Sequence, residues 1–239
     1  MAQNLKAAMA MEKVYRKLQN NWQAKTAFGY HDKLKQFGFA DTVEYERAKA
    51  EHYLKNGGIK AVMSTSETVM ADIVHALTSQ VSTMIIADRG KPCAYNGRNN
   101  PINEDYCKVN DIPVFTVERG GGVIVTSPDD LGCNLVCESH SLLPILMERF
   151  HAYVSARCGD RQCVIDKNDI LIDGYKVMAF AQSTIGKMYM YNMQFSFKVN
   201  LEHIRNITMK EIVKIPGELS KLSSVNKQEL AEEVLSWLQ

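Results

Sequence analysis

No stretch of this sequence of 239 residues approaches the roughly 18 consecutive apolar residues of a membrane-spanning helix, so a membrane protein is not expected. The N-terminus lacks an apolar core followed by a small-residue cleavage site, so a secretory signal is not expected either. Neither sign of charge dominates. The 28 Lys and Arg stand against 27 Asp and Glu, for a net charge of +1, which gives no clustered basic footprint for nucleic acid. The expected location is cytoplasmic. The mildly basic Met1–Trp22 segment keeps the mitochondrial matrix as the alternative. There is no internal repeat, low-complexity tract or long linker. The six cysteines (93, 107, 133, 137, 158 and 163) lack the tight paired knuckles of a structural zinc site. They read as separate reduced thiols, and no metal site is expected.

What is present is an ordinary globular composition, with 46% apolar and 23% charged residues, enough for one large domain with a small appendage. Leu5, Ala8, Met11, Tyr15, Leu18 and Trp22 recur at helical spacing. A second helix is predicted from Thr42 to Leu54, started by Asp41 with Glu44 and ended at Asn56-Gly57-Gly58. Residues 1–58 therefore read as an N-terminal helical appendage and 59–239 as the main domain. In the main domain, strands are predicted at Ile59–Met63, Thr83–Ala87, Ile112–Val117 and Gly122–Val125. A hairpin is predicted around Asp173-Gly174. A period-two strand runs through Tyr189–Val199, and helices are predicted at Ser66–Leu77, Leu142–Ala156 and Asn226–Leu238. Strands without a clear βαβ rhythm imply an α/β (α+β) fold, a mixed sheet flanked by helices.

Three blocks carry candidate chemistry. Glu118-Arg119-Gly120-Gly121-Gly122 precedes an apolar run and Pro128 to Gly132. Consecutive glycines are conformationally costly. They make sense where backbone N–H groups must approach a ligand, with Arg119 as a cation for phosphate or carboxylate; a plain glycine turn is the other reading. The second block is Asn168-Asp169-Ile170-Leu171-Ile172-Asp173-Gly174-Tyr175-Lys176-Val177. It places an ammonium at the start of an apolar strand, where it can neutralise phosphate or polarise an acyl carbonyl. Alone, Lys176 is an ordinary hairpin lysine. The third block, Lys214 to Ser224 with Pro216-Gly217, reads as a loop before the last helix.

Together these blocks resemble the lipoate–protein ligase and octanoyltransferase (biotin–lipoate protein ligase) superfamily over roughly residues 83–225. Arg119 to Gly122 resembles the family's Arg and glycine signature, and Pro128 and Leu131 fall as in its octanoyltransferases. Asn168-Asp169 followed by Gly174-Tyr175-Lys176-Val177 resembles the element with the essential lysine. Tyr95 to Asn100 resembles the segment that leads into the strand at Ile112–Phe115. The resemblance implies a biotin/lipoate protein ligase-like sheet. It implies that Arg119 and Gly120, Gly121 and Gly122 line an acyl and phosphate pocket, with Lys176 as catalytic residue and Asn168 and Asp169 toward the nucleotide. It implies ATP with Mg, lipoate or octanoate as the small carboxylic acid, and an acceptor protein with a lipoyl-type domain that supplies the nucleophilic lysine.

Three family positions depart from the pattern. Pro216 stands where thioester-forming octanoyltransferases have Cys, Thr126 where they have His, and Met188 to Gln194 lacks a His-Gly pair. The resemblance therefore implies an ATP-dependent ligase first. An ATP-independent acyltransferase, or a non-catalytic ligand- or partner-binding descendant, is the alternative.

Overall fold

The computed structural model describes residues 2–18, 34–97, 100–117, 122–138, 142–209, 212 and 214–238. Its frame is a seven-stranded sheet in the order β1 (Lys60–Thr65), β2 (Thr83–Asp88), β6 (Leu131–Cys137), β10 (Met188–Phe195), β9 (Tyr175–Ile185), β8 (Asp169–Ile172) and β7 (Cys163–Asp166). β1 and β2 are parallel and the other neighbours antiparallel. A three-stranded sheet holds β4 (Val114–Val117), β3 (Cys93–Gly97) and β5 (Val123–Thr126). The helices are α1 (Ala2–Leu18), α2 (Thr42–Asn56), α3 (Val69–Ser79), α4 (Glu104–Val109), α5 (Leu143–Ser155), α6 (Leu201–Ile207), α7 (Leu219–Leu222) and α8 (Lys227–Ser236). This is the mixed α+β architecture expected from the sequence.

Local chemistry sets the boundaries. The Asp41 carboxylate accepts the Glu44 N–H at 2.8 Å, while Glu44 reaches back to the Ala40 N–H at 2.6 Å, so both side chains cap α2. Gly58, at φ +64, carries the chain out of α2 in the left-handed conformation. Asp173 (φ 51) and Gly174 (φ 81) form the tight turn between β8 and β9, as a two-residue hairpin demands. Asn226 caps α8 by accepting from Gln228 and Glu229 N–H groups.

One pairing is new and one bound shifts. β4 and β5 do not pair with each other; β3 lies between them, parallel to β4 and antiparallel to β5. The strand through Tyr189 ends at Phe195 rather than Val199. The Ser196 N–H still donates to Val177 O on β9, but the next, of Phe197, turns to an Asp130 carboxylate oxygen.

The two faces of the large sheet differ in covering. One face carries Met84, Ile86, Leu135, Cys133, Tyr191, Met193, Phe195, Met178 and Phe180, packed against Ala50 and Leu54 of α2, the inner side of α5, Leu230 and Val234 of α8, and Trp237 just after it. Phe150 of α5 sits at the centre, with ring centroids 4.8 Å from Phe195 and 4.6 Å from Trp237. On the other face, α3 covers the β1–β2–β6 side and the first residues of β10, through Val69, Ile73 and Ala76 against Ile85, Ala87, Val136 and Met188. Leu5 and Ala8 of α1 join Leu34, Phe39 and Tyr45 in a separate small core.

Candidate functional site

Lys176 lies at the start of β9, opposite Leu171. Ile170 and Ile172 belong to the main core, so the intervening Leu171, and Lys176 across from it, turn to the other face of the sheet. A register shift between Ile170 and Leu171 lets Val177 and Met178 both enter the core while Lys176 stays outside it. Lys176 is half-buried, and among the described residues its ammonium makes no hydrogen bond or ion pair.

The Pro216-Gly217 loop runs beside it. The Lys176 N–H donates to Ile215 O at 2.9 Å, and Lys176 O accepts from Gly217 N at 2.8 Å. Gly217 permits this approach, because a Cβ there would meet Tyr175 Cβ at 2.6 Å. The fold thus brings the second and third sequence blocks together, and Pro216 forms a bridge with Lys176 itself.

The other candidates are placed differently. Asn168 is exposed in the two-residue turn between β7 and β8. Asp169 accepts from Lys214 Nζ at 2.5 Å, and Asp166 pairs with the same ammonium at 3.0 Å, so this carboxylate is engaged by a cation of its own chain. Gly122 is exposed just before β5; its carbonyl accepts from Gly97 N at 3.3 Å, with open space where a Cβ would stand. Arg119, Gly120 and Gly121 lie outside the described residues. Among the described residues, no group of three His, Cys, Asp or Glu side chains could hold a metal ion, and the six cysteines are free thiols.

The face that holds Lys176 continues as a polar, small-residue floor. Gly132, Gln194 and Ala179 lie in one row across β6, β10 and β9, and Asn134, Asn192 and Ala181 in the next. None of these joins a hydrophobic cluster. Two buried polar atoms on this floor have no hydrogen-bond partner, Asn134 Nδ2 and, one row further, Ser183 Oγ.

Arg89, just after β2, crosses from this floor to the small sheet. Its Nε and Nη2 donate to Gln194 Oε1 at 3.2 and 2.8 Å, and its Nη1 to the Tyr95 hydroxyl at 2.7 Å. Tyr95 in turn stacks on Phe115, with centroids 5.4 Å apart. Nearby, Asp130 is 2% exposed. Its carboxylate accepts N–H bonds from Ser127 at 2.8 Å and Phe197 at 3.0 Å. Burial outweighs these bonds and pushes its pKa up to about 7. Burial likewise raises the Tyr95 hydroxyl, and it lifts the Cys133 thiol to about 12, so that thiol is inert.

An open cavity of about 400 Å³ adjoins the site, lined by Thr126, Asp130, Ser196 and Lys198 among others and walled by α6. The Thr126 hydroxyl at this cavity bonds to the backbone of Cys93. Arg89, Asn134 and Gln194 gave no motif in the sequence. The one signal was Arg89-Gly90 directly after an apolar strand, which reads as a turn.

The family described as the lipoyl protein ligase A/B catalytic domain matches residues 60–235, and the chain belongs to it. LipL1 of P. falciparum in complex with lipoate superposes with a TM-score of 0.62 at 10% identity, covering 75% of this chain and 61% of that one. The chain thus spans less than two thirds of that protein's length. A bipartite lipoate protein ligase from Thermoplasma acidophilum, solved as an archaeal lipoylation system with its E2 lipoyl domain, gives 0.59 at 13% identity, with 75% and 81% coverage. A lipoate-protein ligase A bound with ATP gives 0.57 at 14%, with 75% and 82% coverage. No curated protein matches. At these identities the structures establish the fold.

Proposed function

We propose that the chain joins a small carboxylic acid (lipoate, octanoate or a related acyl group) to a lysine of an acceptor protein with a lipoyl-type domain, through an acyl-adenylate. The observation that carries this reading is the Lys176 ammonium, half-buried and without a partner among the described residues, at the head of a polar floor. The structural relatives, one with lipoate, one with ATP and one with a lipoyl domain, support the same substrates.

In this reading the acid's carboxylate oxygen attacks the α-phosphorus of ATP and pyrophosphate leaves. The acceptor amine then attacks the carbonyl, AMP leaves, and the amine proton is lost to solvent. Lys176 holds the carbonyl or α-phosphate oxygen and offsets the negative charge that builds in both steps, with its approach fixed by the Pro216-Gly217 loop. Arg119, Gly120, Gly121 and Gly122 would receive the phosphates, and Asn168 and Asp169 would face the nucleotide. The described residues fit the phosphates of ATP better than its Mg. Asp169 is already neutralised by Lys214, and among the described residues no group of three His, Cys, Asp or Glu side chains could hold a metal ion. The proposed domain division is a helical N-terminal part through residue 58 followed by the catalytic domain.

Pro216 and the absence of the family His argue against the ATP-independent thioester route. The Lys214–Asp169 pair favours, as second reading, a descendant that binds a ligand or partner without catalysis. Intact-mass measurement of a lipoyl-type acceptor domain decides. A gain of one acyl group that needs ATP and vanishes with Lys176→Ala is expected. No gain with any acid, with or without ATP, leaves the non-catalytic reading.

A further inference from the structure

Arg89 is 6% exposed and carries a full charge, because a guanidinium does not deprotonate in a protein. Its partners are neutral: the Gln194 carbonyl oxygen and the Tyr95 hydroxyl, with its cation 5.0 Å from the Tyr95 ring centre. Among the described residues, no carboxylate lies within ion-pair distance. The nearby Asp130 spends its oxygens on the N–H groups of Ser127 and Phe197. Of the five guanidinium N–H groups, three are used by these bonds, leaving one on each terminal nitrogen. Asp130 feels this charge through space without touching it, and a cation held this dry with no ion-pair contact is costly.

The surroundings are arranged to admit it. Gly132 lies flat beneath the guanidinium, and a Cβ there would fall inside it. Two residues along β6 on the same face, Asn134 is 4% exposed with its amide nitrogen unpartnered, and Ser183 Oγ is likewise buried and unpartnered. This floor therefore offers a positive charge and the spare Asn134 N–H groups, with the Ser183 hydroxyl, able to donate or accept, one row further. Within the acyl range proposed above, an apolar octanoyl or dithiolane tail laid on it leaves these donors unmet, so a chain that ends in oxygen atoms suits the floor better. An oxygen-rich anion would satisfy them.

We propose that the pocket takes a short dicarboxylic acid, whose far carboxylate is held by Arg89 with Asn134 while Lys176 holds the reacting one. This rests on the reading that the floor receives an acyl chain. Lys176 and the Ala179–Gln194 row are three residues apart along β9, across its register shift, or roughly 7–10 Å at about 3.3 Å per residue. Diacids from glutarate to pimelate span that gap. Arg89 is then the specificity-determining residue, and its fork suits a carboxylate in two-point contact.

The test is calorimetric titration of the full chain with the matched pairs hexanoate and adipate, and heptanoate and pimelate. Adipate and pimelate are expected to bind the wild type at least tenfold more tightly than the monoacids. Arg89→Met is expected to abolish that preference, and Arg89→Lys to restore part of it. Gly132→Ala, which displaces the guanidinium, is expected to weaken diacids selectively. The comparison of equal-length acids on the wild type needs no variant and so survives a folding failure. Monoacids binding as tightly as diacids, or no diacid binding at all, would overturn the proposal; in the latter case Arg89 is a structural plug between the sheets. The acceptor mass assay, run with each diacid, separates the two readings. Diacid binding without transfer keeps the pocket and removes the ligase. Octanoyl transfer without diacid binding keeps the ligase and removes the pocket.

Discussion

The same strands of the large sheet present two surfaces that obey different rules. Tyr191, Met193 and Phe195 of β10 enter a core closed by α2, α5 and α8. The alternating Asn192 and Gln194 lie on a face that α3 covers only in part. The first face is packed as a protein interior should be, and its residues serve stability. The second retains a buried cation with neutral partners and unpartnered donors, features that lower stability and persist where a ligand uses them. Fold and site are thus written into one strand at alternate positions.

Substitutions on the two faces should separate along this line. The largest effect is expected from Phe150→Ala, which empties the ring contacts to Phe195 and Trp237. A loss of about 3–5 kcal/mol in urea denaturation is expected, and a loss under about 1 kcal/mol would mean this face is loosely packed. Next is a pH effect at Asp130. Burial holds its folded pKa near 7 against 3.8 for the free group. The native protein therefore keeps a proton that the unfolded chain has shed. The stabilising contribution is complete below pH ~4 and is lost as pH rises to about 7. Asp130→Asn should flatten that part of the stability profile; an unchanged slope would show that Asp130 titrates normally.

Smaller effects are expected elsewhere on the site side. Lys214→Ala removes a partly exposed ammonium from Asp166 and Asp169, costing about 0.2–1 kcal/mol. A larger loss would make this pair a structural element of the β7–β8 hairpin. Asn134→Leu deletes a buried amide whose nitrogen has no partner. Its stability is expected to stay within about 1 kcal/mol of wild type, with a gain the favoured sign. A clear destabilisation would erase the distinction between the faces.

Much of this was legible in the sequence, and the gaps have physical causes. The alternation from Tyr189 to Phe195 announced β10 because one of its faces is fully apolar. β6 was not recognised, since Leu131 to Cys137 is buried on both faces and shows no alternation. β3 hid within Cys93-Ala94-Tyr95-Asn96-Gly97, whose small residues fit a loop equally well. Asp173-Gly174 fixed its hairpin because positive φ at both positions is a local requirement. The site was half visible. The lysine and the Pro-Gly loop were legible as motifs, and their juxtaposition follows only from the bridge between Lys176 and Pro216. Arg89 was silent, because its meaning depends on Gln194, which is 105 positions away.

The most direct test of the account is the crystal structure of the protein with a non-hydrolysable acyl-adenylate mimic. The acyl carbonyl or phosphate oxygen is predicted to lie within hydrogen-bond reach of Lys176 Nζ, with the acyl chain along Gly132, Gln194 and Asn134. A mimic bound away from Lys176, for example in the cavity between Thr126 and α6, would contradict the assignment of the polar face as the substrate floor.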